Sequence, residues 1–149
     1  MKSIFNKADN ETIIARINSL TAESQPTWGK MSVDQMCKHC NLTFDVAYGN
    51  IELKIPFVFK LLGKMLKKKM LAADNMGKGS ATAKEYIVSE RYDLNKEKSE
   101  LISNLRRFAD EGESVIKLID HPFWGKMTIE EWDKLMWKHM DHHLSQFGV

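Results

Sequence analysis

The sequence predicts an all-α fold: long helices packed as an up-and-down bundle, with a crossover and extra short helices. Three observations predict it. Apolar residues recur at spacings of three and four along the longer stretches. Two of those stretches open with a hydroxyl residue followed, three positions on, by Gln or Glu, the signature of a capping box. Only three prolines interrupt 149 residues, and nine methionines with four tryptophans suit a bulky helical core. The length suits one domain, 1–149, large enough for a real core and short for two.

Composition narrows the function classes. With 22 basic against 20 acidic residues the net charge is +2, without the clustered excess of a nucleic-acid binder, so no nucleic-acid partner is expected. No run of about eighteen apolar residues offers a membrane span. The opening MKSIFNKADNE has no apolar core of a secretory leader. Cys37 and Cys40 are three apart in a helical pattern, where a disulfide would staple little. A reduced cytoplasm is therefore the expected location.

Residues 10–20 read as a short amphipathic helix, with Ile13, Ile14, Ile17 and Leu20 inward and Asn10 as its cap. TAESQPTWG is a loop punctuated by Pro26 and Gly29. Then comes a repeated device: residues 28–36 are WGKMSVDQM and residues 124–132 are WGKMTIEEW. A Trp-Gly turn leads to a Ser or Thr cap, and Gln35 or Glu131 closes the box. An old duplication and a repeated solution to one docking problem both account for it. Either way, the two helices should enter the core alike.

The first of these helices runs from Ser32 to about Tyr48, ending near Gly49. Its inward stripe is Val33, Met36, Cys40, Thr43, Phe44 and Ala47, with His39 beside it. In 51–70, Pro56 can open a helix. Phe57, Phe59, Leu61, Leu62, Met65 and Leu66 alternate there with Lys60, Lys64, Lys67, Lys68 and Lys69. The favoured reading is a helix capping the bundle with a solvated lysine face. The alternative is a basic amphipathic segment that binds a membrane surface or a polyanion. Residues 71–83, with Gly77, Gly79 and Ser80, form a loop near a pocket mouth, and 86–94 are extended or irregular. A third long helix spans about 95–111, with Leu101, Ile102, Leu105 and Phe108 inward and Gly112 at its end. SVIKLID reads as a short extra turn. His121, before Pro122, reads as a residue of the approach to the second WGKM.

The last stretch, TIEEWDKLMWKHMDHHLSQFGV, carries three of the five histidines. Trp132, Leu135, Met136, His139, His143 and Gln146 share its inward face. His139 and His143 are four apart, with Cβ atoms roughly 6 Å from one another, close enough to converge on an ion about 2.1 Å from each nitrogen. The competing reading is a pair of core histidines hydrogen-bonded to carbonyls or carboxylates. Position relative to the caps favours the ion. His39 is seven past Ser32, His139 eleven past Thr128 and His143 fifteen. The offsets differ by multiples of four, so all three share nearly one azimuth. Asp141 points away from that face, Asp45 is no better placed, and Cys37 and Cys40 lie past the first turn as core thiols. Glu-x-x-His pairs and HExxH are absent, which excludes a di-iron bundle and a zincin.

One histidine on an early helix and an HxxxH pair on the last is similar to the DinB/YfiT-like superfamily, four-helix bundles with a metal held by three histidines. HMDHHLSQFG resembles that family's closing signature. His139 and His143 fall on its ligand pair, His142 on the residue before the second ligand, Gln146 on the glutamine that follows, and His39 on the second-helix ligand. WGKMSVDQMCKHC and HPFWGKMTIEEWDKLMWKHMDHHLSQFGV resemble more closely a subfamily known mainly as a domain of unknown function. The resemblance spans most of the chain, is specific around His39 and from His121 onward, and leaves out 51–94. It implies a DinB-like four-helix bundle with His39, His139 and His143 as ligands of a divalent transition metal, zinc or nickel. It also implies a thiol-dependent S-transferase or hydrolase acting on a small molecule, a low-molecular-weight thiol as partner, and a homodimer. The alternative is a non-catalytic bundle with a structural or vestigial histidine cluster. Catalytic residues stay unassigned, and the roles of His142, His121 and Gln146 stay open.

Overall fold

Asn6 starts the first helix, α1 (Lys7–Ser19), by accepting the Asp9 N–H. The structure, a computed structural model, describes residues 2–79 and 84–149. Asn10 is thus not the cap. It lies inside α1, buried, and its amide donates to the carbonyls of Ile4 and Leu105, each at 2.8 Å. Ile13, Ile14, Ile17 and Leu20 are buried, as their spacing predicts.

The second helix, α2 (Val33–Ala47), opens with the expected Ser32–Gln35 capping box. Asp34, in its first turn, accepts from Tyr92 N at 2.8 Å and from Arg91 Nε at 3.1 Å. That ties the irregular segment around Arg91 and Tyr92 across the start of α2. Val33, Met36, Cys40, Thr43, Phe44 and Ala47 are all buried.

The third helix, α3 (Phe57–Ala72), follows Pro56. It does not present a purely lysine face to solvent, and this corrects the favoured reading of that segment. Its inward side carries Gly63, Lys67 and, near the end, Met70, which packs against the core. Lys67 Nζ donates to Lys126 O at 2.6 Å and pairs with Glu131 at 2.8 Å. Gly63 lies beneath the Phe123 backbone with no room for a Cβ. Lys138 donates to the carbonyls of Met70, Leu71 and Ala73, satisfying the open end of the helix. Of the expected loop 71–83, Ser80 and the residues through 83 lie outside the described residues.

The fourth helix, α4 (Leu94–Glu111), is capped by Asp93, which accepts from Lys96 N at 3.0 Å. It ends at Gly112, whose φ of +62° is a conformation that L side chains rarely adopt. Leu101, Leu105 and Phe108 are buried. Asn41 donates to the buried Glu97 carboxylate at 2.9 Å and pins α4 to α2. A single 3-10 turn at Gly112–Val115 follows, shorter than the extra turn expected over SVIKLID. The all-helical expectation needs one small addition. Asp120–His121 (β1) and Gly125–Lys126 (β2) pair antiparallel, Asp120 opposite Lys126. His121 closes the turn between them: its Nδ1 accepts from Phe123 N at 3.0 Å and Trp124 N at 3.2 Å.

The last helix, α5 (Ile129–Gln146), opens with the second capping box. Thr128 N donates to Glu131 Oε2 at 3.0 Å, and Glu131 N donates to Thr128 Oγ1 at 3.2 Å. Helix α4 packs on α1 and α2, and α5 packs on the same two helices. Phe44 and Phe108 meet edge to face at 5.0 Å inside the core so enclosed. Among the described residues no helix is long and apolar enough to cross a membrane.

Candidate metal centre

Helix α2 brings His39, and α5 brings His139 and His143, to one place. One nitrogen from each ring lies within 4.8 Å of the others. His39 Nε2 and His139 Nε2 are 3.0 Å apart, and the ring centres of His39 and His143 are 4.7 Å apart. His39 and His143 are buried, and His139 is partly exposed.

Each ring is held from behind. His39 Nδ1 lies 3.0 Å from the Tyr86 carbonyl oxygen, which only accepts, so the proton sits on Nδ1. Gln146 donates its amide to the Trp28 carbonyl at 2.7 Å, which turns its Oε1 toward His143 Nδ1, 3.0 Å away. His143 therefore also carries its proton on Nδ1. The Thr43 hydroxyl, 3.4 Å from the His39 carbonyl, offers its oxygen to His139 Nδ1 at 3.5 Å. With Nδ1 protonated on His39 and His143, their Nε2 lone pairs are left for the space between the rings, and His139 Nε2 reaches into the same space.

Burial favours the neutral rings. Desolvation lowers the pKa of His39, and it pushes that of His143 down to about 3. His139 is held well below the usual imidazole range, first by desolvation and then by His143 and His39 beside it. Neutral imidazoles with Nε2 free are the form that ligates a metal. Ligands about 2.1 Å from a tetrahedral ion lie roughly 3.4 Å from one another. The 3.0 Å pair is near that spacing and the third nitrogen lies within 4.8 Å of both, and an all-nitrogen donor set suits a borderline transition ion better than magnesium or calcium.

The first WGKM stretch locks the end of α5 in place. Thr27 N donates to the Gln146 carbonyl at 2.7 Å, and the Thr27 hydroxyl donates to it at 3.0 Å. With the Trp28 carbonyl holding the Gln146 side chain, residues 27–28 grip the glutamine that orients His143. Residues 4–148 match the family described as protein of unknown function, DUF1569.

The chain belongs to the DUF1569 family.

No curated protein and no solved structure matches it. The DUF1569 match contains all three histidines and the three residues behind them.

The remaining candidates in this DUF1569 chain fall elsewhere. His142 faces away from the trio, edge-on to Trp28 at 6.0 Å, although its ring centre is 5.0 Å from that of His143. His121 is spent on its turn and packs against Trp132 at 5.3 Å. Asp141 pairs with Arg16 at 2.7 Å, and Asp45 accepts from Asn50 at 3.1 Å. Cys37 and Cys40 are buried thiols; burial pushes Cys37 up to about 12 and Cys40 well above the thiol range. Of the three supporting residues, Thr43 is four past His39 and Gln146 three past His143, spacings that a helical wheel exposes. Tyr86 acts through its backbone carbonyl, which leaves no mark in sequence.

Proposed function

We propose that this protein is a metal-dependent enzyme in which His39, His139 and His143 hold one divalent transition ion, zinc or nickel. The reaction is that of a thiol-dependent S-transferase or a hydrolase acting on a small molecule. The carrying observation is the 3.0 Å approach of two Nε2 atoms whose rings have their Nδ1 atoms turned to other partners. Two imidazole nitrogens this close share either a proton or a cation, and a third imidazole beside them favours the cation.

An ion held by His39, His139 and His143 would supply a Lewis acid that lowers the pKa of a water or thiol. The chain's own part is positioning. Tyr86, Thr43 and Gln146 fix the three rings, and such supporting contacts set ligand basicity as well as direction. The burial of His39 and His143 keeps water from their rings. A cleft next to His142, lined among others by Trp28, Met76, Lys78 and Trp137, includes none of the three histidines. Contacts of α4 and α5 with both α1 and α2 support a single-domain four-helix bundle of the DinB/YfiT-like kind. The thiol and a homodimer are carried by the resemblance of the closing histidine stretch.

The test begins with protein purified without a nickel column, reconstituted with Zn²⁺, Ni²⁺ or Mn²⁺ and analysed for bound metal. A stoichiometric ion that is lost in His39→Ala supports the reading; no ion in the native chain sinks it. Loaded protein is then screened with a panel of thiols and electrophiles. Thiol-dependent turnover supports the transferase, and thiol-independent hydrolysis the hydrolase. Bound metal with neither would assign a structural ion.

A further inference from the structure

Of the nine large apolar side chains that stand exposed among the described residues, seven belong to α3. Phe57 is 78 % exposed, Met65 72 % and Val58 71 %. Apolar residues gathered on one exposed helix mark an interaction site rather than ordinary surface. At about 100° per residue, Val58, Leu61 and Met65 fall opposite Gly63 and Lys67, the residues that seat the helix on the body. Lys68 and Lys69 flank the outward apolar stripe, one on each side. Helix α3 carries five lysines and no Asp or Glu.

The helix is thus mounted opposite to the usual amphipathic arrangement. Its polar and small residues face the protein, through Lys67 with Glu131, Gly63 under Phe123 and the Lys138 clasp on its last carbonyls. Seven of its apolar residues stand exposed, and Met70 near its end packs against the core.

We propose that α3 lies in the surface of an anionic lipid bilayer, with Val58, Leu61 and Met65 at the acyl boundary and the lysines among the headgroups. A convex helix edge with bulky apolar groups and a cationic rim is what such a surface accommodates; lysine stems lie along the apolar zone while their amines reach the phosphates. A second copy of the chain fits less well. Two-fold pairing along α3 sets one lysine row against an identical lysine row. A nucleic acid would meet the lysines and leave the apolar stripe without a partner.

The full chain is sedimented with phosphatidylcholine vesicles, with and without phosphatidylserine, at low and moderate salt. Binding is expected on the anionic vesicles, weakened by salt. Replacing Lys68→Gln together with Lys69→Gln lowers partitioning by about tenfold or more. Val58→Gln with Met65→Gln abolishes binding that survives moderate salt. All four side chains are exposed, so circular dichroism should match the native chain and separate lost binding from lost fold. No binding to anionic vesicles at low salt would overturn the proposal. So would a dimer in analytical ultracentrifugation that Met65→Gln dissociates, since it assigns the face to a second copy.

Discussion

Gln146 faces His143 across 3.0 Å, with its Oε1 toward the imidazole Nδ1, and its own amide is committed to the Trp28 carbonyl. The glutamine therefore sets both the direction of the ring and which nitrogen carries the proton. Gln146→Leu removes the acceptor while leaving the three histidines in place. Affinity for Zn²⁺ should fall by roughly 10–100-fold, the range found when a group behind a ligating histidine is removed. Titration calorimetry against a competing chelator measures it. Unchanged affinity would mean that the glutamine merely fills space.

Metal should stabilise the fold, because the three imidazoles converge only when α2 and α5 are packed together. At a free ion concentration of about 100 Kd the gain is roughly 2.7 kcal/mol. For a chain of this length that raises Tm by roughly 5–10 °C. Differential scanning calorimetry with and without Zn²⁺ checks the shift, and His39→Ala should lose most of it. A shift of equal size in His39→Ala would place the ion elsewhere.

What the sequence revealed, and what it hid, divides by whether the cause is local. Ser32 with Gln35 and Thr128 with Glu131 satisfy backbone groups within one turn, so both helix starts could be read directly. The common offset of the three histidines from those caps made their meeting legible too. Asn10 reads as a cap in the sequence because one of its true partners, the Leu105 carbonyl, is 95 residues away. Helix α3 exposes the limit most clearly. Periodicity shows that an apolar face exists, but the side that packs is decided by Gly63 under Phe123 and Lys67 on Glu131, contacts made by distant segments. The two-residue strands are too short to carry a pattern of their own.

His121 gives the fold a pH dependence of its own. Burial pushes its pKa down to about 4, from an ordinary value of 6.5. Above pH 6.5 the ring is neutral whether the chain is folded or unfolded, and its full contribution to stability is present. Below that the unfolded chain takes up the proton first, and stability falls until the folded ring also protonates near pH 4. The loss over that window is about 3 kcal/mol. His121→Asn keeps an acceptor for the Phe123 and Trp124 N–H groups but cannot titrate. The variant should be less stable at neutral pH, having lost the ring against Trp132, yet show a flatter profile on acidification. Urea unfolding at a series of pH values compares the two slopes; parallel profiles would contradict the assignment.

The two WGKM turns separate backbone strain from damage to the candidate metal centre. Gly29 and Gly125 have φ values of +83° and +72°, so an alanine at either position costs roughly 1–2 kcal/mol in backbone strain alone. Their surroundings differ. A Cβ on Gly29 would run into the Gln146 amide that orients His143, whereas a Cβ on Gly125 would meet the side chain of Lys64, which can swing aside. Both alanine variants should lower the unfolding free energy by similar amounts. Gly29→Ala alone should also weaken Zn²⁺ binding, by roughly the factor expected for Gln146→Leu. Denaturant melts and metal titrations on the pair read the two effects separately. Equal metal affinity in both variants would show that the grip of residues 27–28 on Gln146 does not reach the histidines.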